Sequence, residues 1–235
     1  MHTTTLRAIM MAAVFVAAMN NDACRANAAE SPNTADAASL TLKLWLMKAE
    51  RGDPAAQYLI GFKYVRGDGV QQNWTEAAKW LRASSDQGHP DAQWSLATLY
   101  ELGFGVSQNY EEAFRLYRLA AAQGVVEAET NLGLYYLEGL GTKQDSTEAY
   151  RWLRAASHEG IGEAEIGLGR IYENGLGKPI DLLRAYMWYS LAVDTGVRNS
   201  LAQRDALARK LTSNERNAVD AMALRCSRSD FADCD

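Results

Sequence analysis

Residues 88–123 read GHPDAQWSLATLYELGFGVSQNYEEAFRLYRLAAAQ, and the same skeleton recurs 36 residues upstream and twice more downstream. Gly52, Gly88, Gly124, Gly160 and Gly196 stand one period apart. So do Gly67, Gly103, Gly139 and Gly175, each followed two residues later by Gly69, Gly105, Gly141 or Gly177. All 18 glycines fall between residues 52 and 196, a confinement that composition alone does not produce. Self-similarity at a fixed period of this size marks a stack of like supersecondary units, each unable to bury its apolar face alone.

The apolar positions follow the same register. Ala56, Ala92, Ala128 and Ala164 are followed four residues later by Ile60, Leu96, Leu132 and Leu168, and after four more by Tyr64, Tyr100, Tyr136 and Tyr172. That spacing puts them on one face of a helix. The small residues Gly61, Ala97, Gly133 and Gly169 on this face predict close approach of a neighbouring helix. A second helix is expected after the glycine loop. Asn73, Asn109, Asp145 and Asp181 are good N-caps, and Glu76, Glu112 and Glu148 stand where a capping box would place them. Its apolar face carries Ala77, Ala113, Ala149 and Ala185, then Trp80, Leu116, Trp152 and Trp188, then Leu81, Tyr117, Leu153 and Tyr189. Pro54 and Pro90 suit first helical positions.

These spacings predict repeats at 52–87, 88–123, 124–159 and 160–195. A leading half-repeat helix at 40–51 carries Leu44 and Trp45 in the Trp80 and Leu81 registers. Residues 29–39 read as a flexible lead-in and 196–235 as capping helices with a tail.

The pattern Ala-x3-Leu-Gly-x2-Tyr, Gly-x-Gly, Asn/Asp-x3-Ala and an aromatic closing on Ala-x-x-Gly resembles the Sel-1-like repeat, a relative of the tetratricopeptide repeat. The resemblance covers residues 52–195. It implies an all-α fold, a right-handed α/α superhelical solenoid of four 36-residue helix-turn-helix repeats. It also implies an adaptor or scaffold role, commonly in signalling or the bacterial envelope. Some exported members are cysteine-rich and are associated with β-lactam binding; this chain has no cysteine in its repeats.

The first 28 residues have the three-part layout of a secretory signal peptide: Arg7, an uncharged apolar run from Ala8 to Met19, and Ala26-Asn27-Ala28 before the cleavage point. The run is too short to span a bilayer as a helix, which takes about 20 residues. Cleavage after Ala28 leaves a periplasmic or secreted chain with no transmembrane segment. The rival is a lipoprotein anchored through Cys24, against which Asn21 stands where a Leu-like residue is usual. Of the remaining cysteines, Cys226 and Cys234 lie close together, and in an oxidising compartment such a pair reads as a disulfide.

Several chemistries find no support. The formal net charge is −5 and Lys and Arg are scattered among acids, which argues against nucleic acid. The Gly-x-Gly loops occur four times between helices, whereas a nucleotide fingerprint follows a strand and occurs once. His89 and His158 lack ligand-spaced partners, so no metal is expected, and nothing calls for a cofactor. No nucleophile elbow or acid/base pair stands out.

One stripe on the first helices varies from unit to unit: Tyr58, Phe62 and Val65; Trp94, Thr98 and Glu101; Thr130, Leu134 and Leu137; Ile166, Arg170 and Glu173. In the related tetratricopeptide solenoids this face lines the concave groove. The expected function is therefore a non-catalytic interaction scaffold. Its groove residues are Tyr58, Phe62, Val65, Trp94, Thr98, Glu101, Leu134, Leu137, Ile166 and Arg170, and its partner is a protein or peptide segment. Asp91, Glu101, Glu127 and Glu138 would form an acidic rim. A sensor-kinase ectodomain, an envelope-assembly component or a host protein fits as partner. The alternative is a hydrolase or binder acting on cell-wall or β-lactam compounds. The oligomeric state is not readable from these residues.

Overall fold

The computed structural model describes residues 32–197, 200–228 and 234. Among them there are eleven helices and no strand. A first compact unit runs to Ala120 and a second begins at Ala121. The first holds α1 (Pro32–Glu50), α2 (Pro54–Arg66), α3 (Trp74–Ser85), α4 (Pro90–Leu102) and α5 (Tyr110–Ala121, whose last residue falls past the boundary). The second holds α6 (Val126–Glu138), α7 (Ser146–Ser157), α8 (Gly162–Asn174), α9 (Leu182–Asp194), α10 (Ser200–Ala208) and α11 (Ser213–Arg228). The expected leader with its Cys24 lies outside the described residues.

Helix boundaries have local causes. Pro54 and Pro90 open α2 and α4, where a missing N–H costs nothing. Both helices close on glycines in the left-handed region, as where Gly103 (φ 74°) donates its N–H to the Leu99 carbonyl. Asn73 and Asp145 each accept two backbone N–H bonds at the starts of α3 and α7. Asn109 and Asp181 accept from Glu112 and Arg184 at the starts of α5 and α9.

The expected capping boxes do not form in the repeats. The backbone N–H of Asn73, Asn109, Asp145 and Asp181 donates instead to the carbonyl of Tyr64, Tyr100, Tyr136 and Tyr172. With that donor satisfied, Glu112 and Glu148 turn forward and pair with Arg115 and Arg151 at 2.7 Å. A reciprocal box does form at α11, where Thr212 N–H donates to Glu215 and Glu215 N–H to the Thr212 hydroxyl.

The small-residue register has the expected purpose. A Cβ on Gly61 would lie 2.8 Å from Leu81 Cγ, one on Gly133 2.7 Å from Leu153 Cγ, and one on Gly169 2.7 Å from Tyr189 Cε1. The two helices of a repeat therefore pack backbone against side chain. Around these contacts Ala56, Ile60, Ala77 and Leu81 are buried in the first unit, and Ala128, Leu132, Ala149 and Leu153 in the second. The loops lie equally close. Gly105 (φ 69°) sits against the Trp74 carbonyl, with no room for a side chain.

Two terminal features differ from expectation or extend it. The first helix starts at Pro32, eight residues before the half-repeat at 40 and inside the expected lead-in. Pro32 fits a first turn, and Ala35, Ala37 and Ala38 carry good helix propensity. At the other end Cys226 and Cys234 are bonded, with Cα atoms 4.7 Å apart and both side chains buried.

Candidate interaction surface

The helix termini and hairpin packing just described decide where each stripe residue points. In the first unit Val65, Thr98 and Glu101 are buried. Glu101 accepts a hydrogen bond from the Tyr117 hydroxyl at 2.7 Å, and the Tyr117 hydroxyl also lies 3.1 Å from that of Thr98. Glu101 is thus an internal acceptor and no part of an acidic rim. In the second unit Thr130, Leu134 and Leu137 are buried as well. Tyr189 repeats the Tyr117 arrangement by donating to Glu173 at 2.8 Å. Burial, with the hydrogen bond to Glu173, pushes the Tyr189 phenol up from its ordinary range.

The half-exposed members are Tyr58, Phe62 and Trp94 in the first unit, and Ile166, Arg170 and Glu173 in the second. Tyr58 stacks on His89 with centroids 4.9 Å apart, and its ring lies 6.1 Å from that of Phe62. The Arg66 guanidinium stands over Phe62 at 5.6 Å. His89 Nδ1 is 4.0 Å from Asp91 Oδ2, so this rim carboxylate belongs to the same patch. Arg170 is held at 2.7 Å by Glu138, which neutralises that corner of the second unit. What the first unit presents is an aromatic patch on α2 and the start of α4, with Trp94 one turn into α4.

Among the described residues no group of three or more His, Cys, Asp or Glu is placed to hold a metal ion. None of their helices is long and apolar enough to cross a membrane. A strongly perturbed carboxyl is that of Glu165, fully buried on α8. Burial pushes it up to about 7, partly offset by a hydrogen bond from Thr195. It occupies the register of Gln57, whose amide oxygen accepts from Gln87 at 2.7 Å, thirty residues on as Thr195 is from Glu165. That register ties the first helix of a repeat to the turn after its second helix and is structural.

The Sel1 repeat model matches residues 54–89, 90–125, 126–161 and 162–196. The chain belongs to the Sel1 repeat family. Among solved structures, this Sel1 repeat chain is similar to a Sel1 repeat protein from Oxalobacter formigenes, with 32% identity and a TM-score of 0.64 over 73% of this chain and 70% of that one. It is also similar to c5321, a protective antigen present in uropathogenic Escherichia coli strains displaying an SLR fold, with 33% identity and a TM-score of 0.68 over 80% of this chain. It spans 40% of that antigen's length. None of the curated proteins matches it. Sel1 repeats are generally protein-interaction scaffolds and typically non-catalytic.

Two features went unread in the sequence. His89 stands in a loop yet forms one wall of the aromatic patch. Leu40, Leu44 and Met47 on α1 are exposed. Their spacing of four and three residues is the signal that would have shown them to share a face.

Proposed function

We propose that this Sel1 repeat protein is a non-catalytic interaction scaffold of the bacterial envelope or exterior, and that its first unit binds a peptide or protein segment on the Tyr58–Phe62–Trp94 surface. The observation that carries this reading is the half-exposed aromatic patch on α2 and α4, stacked on His89 and bordered by Asp91. Rigid, partly dehydrated aromatic rings are the usual anchors of protein interfaces, because they cover much area while losing little side-chain entropy. Asp91 favours neutral or basic segments. The buried Val65, Thr98, Glu101, Leu134 and Leu137 set the positions of the helices and contribute nothing to contact. Export is supported by the leader-like first 28 residues and by the Cys226–Cys234 bond.

The test uses the tagged chain in the producing cell, with wild type, Tyr58→Ala and Trp94→Ala compared for the partners they retain. A partner identified with wild type should rebind as a purified protein and lose roughly tenfold or more in affinity with either variant, as anchor residues do. Equal binding by all three would refute the surface. Export is checked by the mass of the chain recovered from the envelope or medium; a mature chain beginning at residue 29 is expected. Nitrocefin turnover by the purified chain would favour the hydrolase alternative instead.

A further inference from the structure

The second repeat holds a guanidinium. Arg82, on α3, donates from Nη2 to the Tyr100 hydroxyl at 2.6 Å, and its guanidinium carbon stands 5.7 Å from the centre of the Tyr100 ring. Its charge also reaches Glu112 in the first turn of α5. That carboxyl is held below its usual range by the hydrogen bond from Arg115, with the charges of Arg115 and Arg82 adding to it. Tyr100 thus seats an arginine supplied by the preceding repeat, with the Glu112 carboxyl within reach of its charge.

One period earlier these registers hold Tyr64, Glu76, Asn73 and the loop Val70-Gln71-Gln72, with Gln71 in the place of Ser107. The loops are built alike. Gln72 donates to the Val65 carbonyl at 2.8 Å, as Gln108 does to that of Glu101 at 2.7 Å. Asn73 and Asn109 both donate their N–H to the tyrosine carbonyl. What differs is the arginine. Its register falls on Leu46 of α1, which packs with Tyr64 onto the Ala49, Ala56 and Ile60 cluster and has nothing to donate. Tyr64, Val70, Gln71, Gln72, Asn73 and Glu76 accordingly line an open cleft of about 470 Å³. Among the described residues no guanidinium lies on Tyr64. Glu76 touches Lys79 only at 3.5 Å, where Glu112 is clasped by Arg115 at 2.7 and 2.9 Å. An exposed pair that loose contributes little and yields to a better partner.

The geometry points to this cleft as a binding site for the arginine side chain of a partner protein, seated on Tyr64 as Arg82 is on Tyr100, with Glu76 supplying the negative charge. The chemistry selects arginine over lysine. A planar guanidinium stacks on a phenol ring while offering N–H groups edge-on to hydroxyl and carboxylate, whereas an ammonium is a compact, strongly hydrated point charge. The site is separate from the aromatic patch and does not depend on it.

The test is titration of the isotope-labelled chain with acetyl-Gly-Arg-Gly-amide and with acetyl-Gly-Lys-Gly-amide, followed by NMR. The arginine peptide should shift the backbone amides from Val70 to Glu76 and the Gln71 side-chain amide. It should bind about threefold to tenfold more tightly than the lysine peptide, the range expected for an exposed cation–π contact with a charge-assisted hydrogen bond. Glu76→Gln and Tyr64→Leu should each weaken it by about threefold or more. Leu46→Arg places the chain's own guanidinium in the register and should abolish the shifts by occupying the cleft. Since Leu46 is half-buried, its variant is scored only with an unchanged thermal midpoint, and Glu76→Gln carries the test otherwise. Equal binding of the two peptides, shifts elsewhere than residues 70–76, or full binding by Glu76→Gln would overturn the assignment.

Discussion

Replacing Tyr117 by Phe removes one oxygen and should destabilise the first unit more than its size suggests. The Tyr117 hydroxyl donates to Glu101 at 2.7 Å, and both side chains are buried, with Glu101 3% exposed. Losing the donor of a buried hydrogen bond costs about 1–3 kcal/mol. Tyr117→Phe should therefore cost about 2–3 kcal/mol. Glu101→Leu should cost less, about 1 kcal/mol, because the hydroxyl retains Thr98 at 3.1 Å as a partner. The double variant reproduces the apolar pairing that Leu153 and Leu137 occupy by register in the third repeat. It should be more stable than Tyr117→Phe alone, with a coupling of about 1–2 kcal/mol. Urea unfolding, read together with native-state hydrogen exchange of α4 and α5 amides, measures all three. Additivity within about 0.5 kcal/mol would refute the claim that the two positions form one compensated pair.

The buried Glu165 carboxyl makes stability depend on pH in the unusual direction. With its folded pKa raised to about 7 by burial, the folded state binds the proton more tightly than the unfolded one. Stability of the second unit should fall as pH rises from about 4.5 to 7, by up to about 3 kcal/mol. Glu165→Gln, the residue type of Gln57 and Gln93 in this register, should remove that slope and stabilise the chain at pH 8; thermal midpoints across pH 4 to 8 decide it. Gly105→Ala should cost about 3 kcal/mol or more, because the new methyl would strike the Trp74 carbonyl as well as strain the backbone. Gly88→Ala, with open space around it at φ 86°, should cost only about 1–2 kcal/mol in the same urea assay. Reducing Cys226–Cys234 should lower stability by at most about 2–3 kcal/mol, the value for so short a ring, and hydrogen exchange should place the loss in α11 and spare α2 to α4.

The period was legible because packing imposes it. A Cβ at 61, 133 or 169 would strike the partner helix, alanine stands at 97, and glycine closes the first helices in the left-handed region, so these residues recur and announce the fold. The stripe was legible only in part. A first helix of this fold is covered on more than one side, so an apolar periodicity identifies the face toward its hairpin partner and leaves the others undetermined. Of the stripe positions in repeats 1 to 3, Tyr58, Phe62 and Trp94 stay half-exposed, while Val65, Thr98, Glu101, Thr130, Leu134 and Leu137 are buried. The variation that looked like recognition at Glu101 and Glu173 is matched in the second helices by Tyr117 and Tyr189. Repeats 1 and 3 hold Val65 with Leu81 and Leu137 with Leu153 in the same registers. Pairing the two registers would have shown internal compensation from the residues alone.

The same bookkeeping says where unsatisfied surface collects. A register is filled when the preceding repeat supplies its partner, as Arg82 does for Tyr100 and Glu112. The first repeat is preceded, among the described residues, by the single helix α1, and α1 brings Leu46 where an arginine is wanted. On its other side α1 leaves Leu40, Leu44 and Met47 exposed, at 65%, 47% and 40%. Tyr58 and Phe62, the aromatic patch, belong to the same repeat, whereas the Phe62 position becomes Thr98 one period later and turns inward to Tyr117. Among the described residues the first repeat thus lacks the arginine that the second receives, and its cleft stands open. Substitutions at Tyr58, Tyr64 and Glu76 should alter binding while leaving the second unit's stability unchanged, whereas those at Glu101 should lower the first unit's stability and those at Leu134 and Leu137 the second unit's.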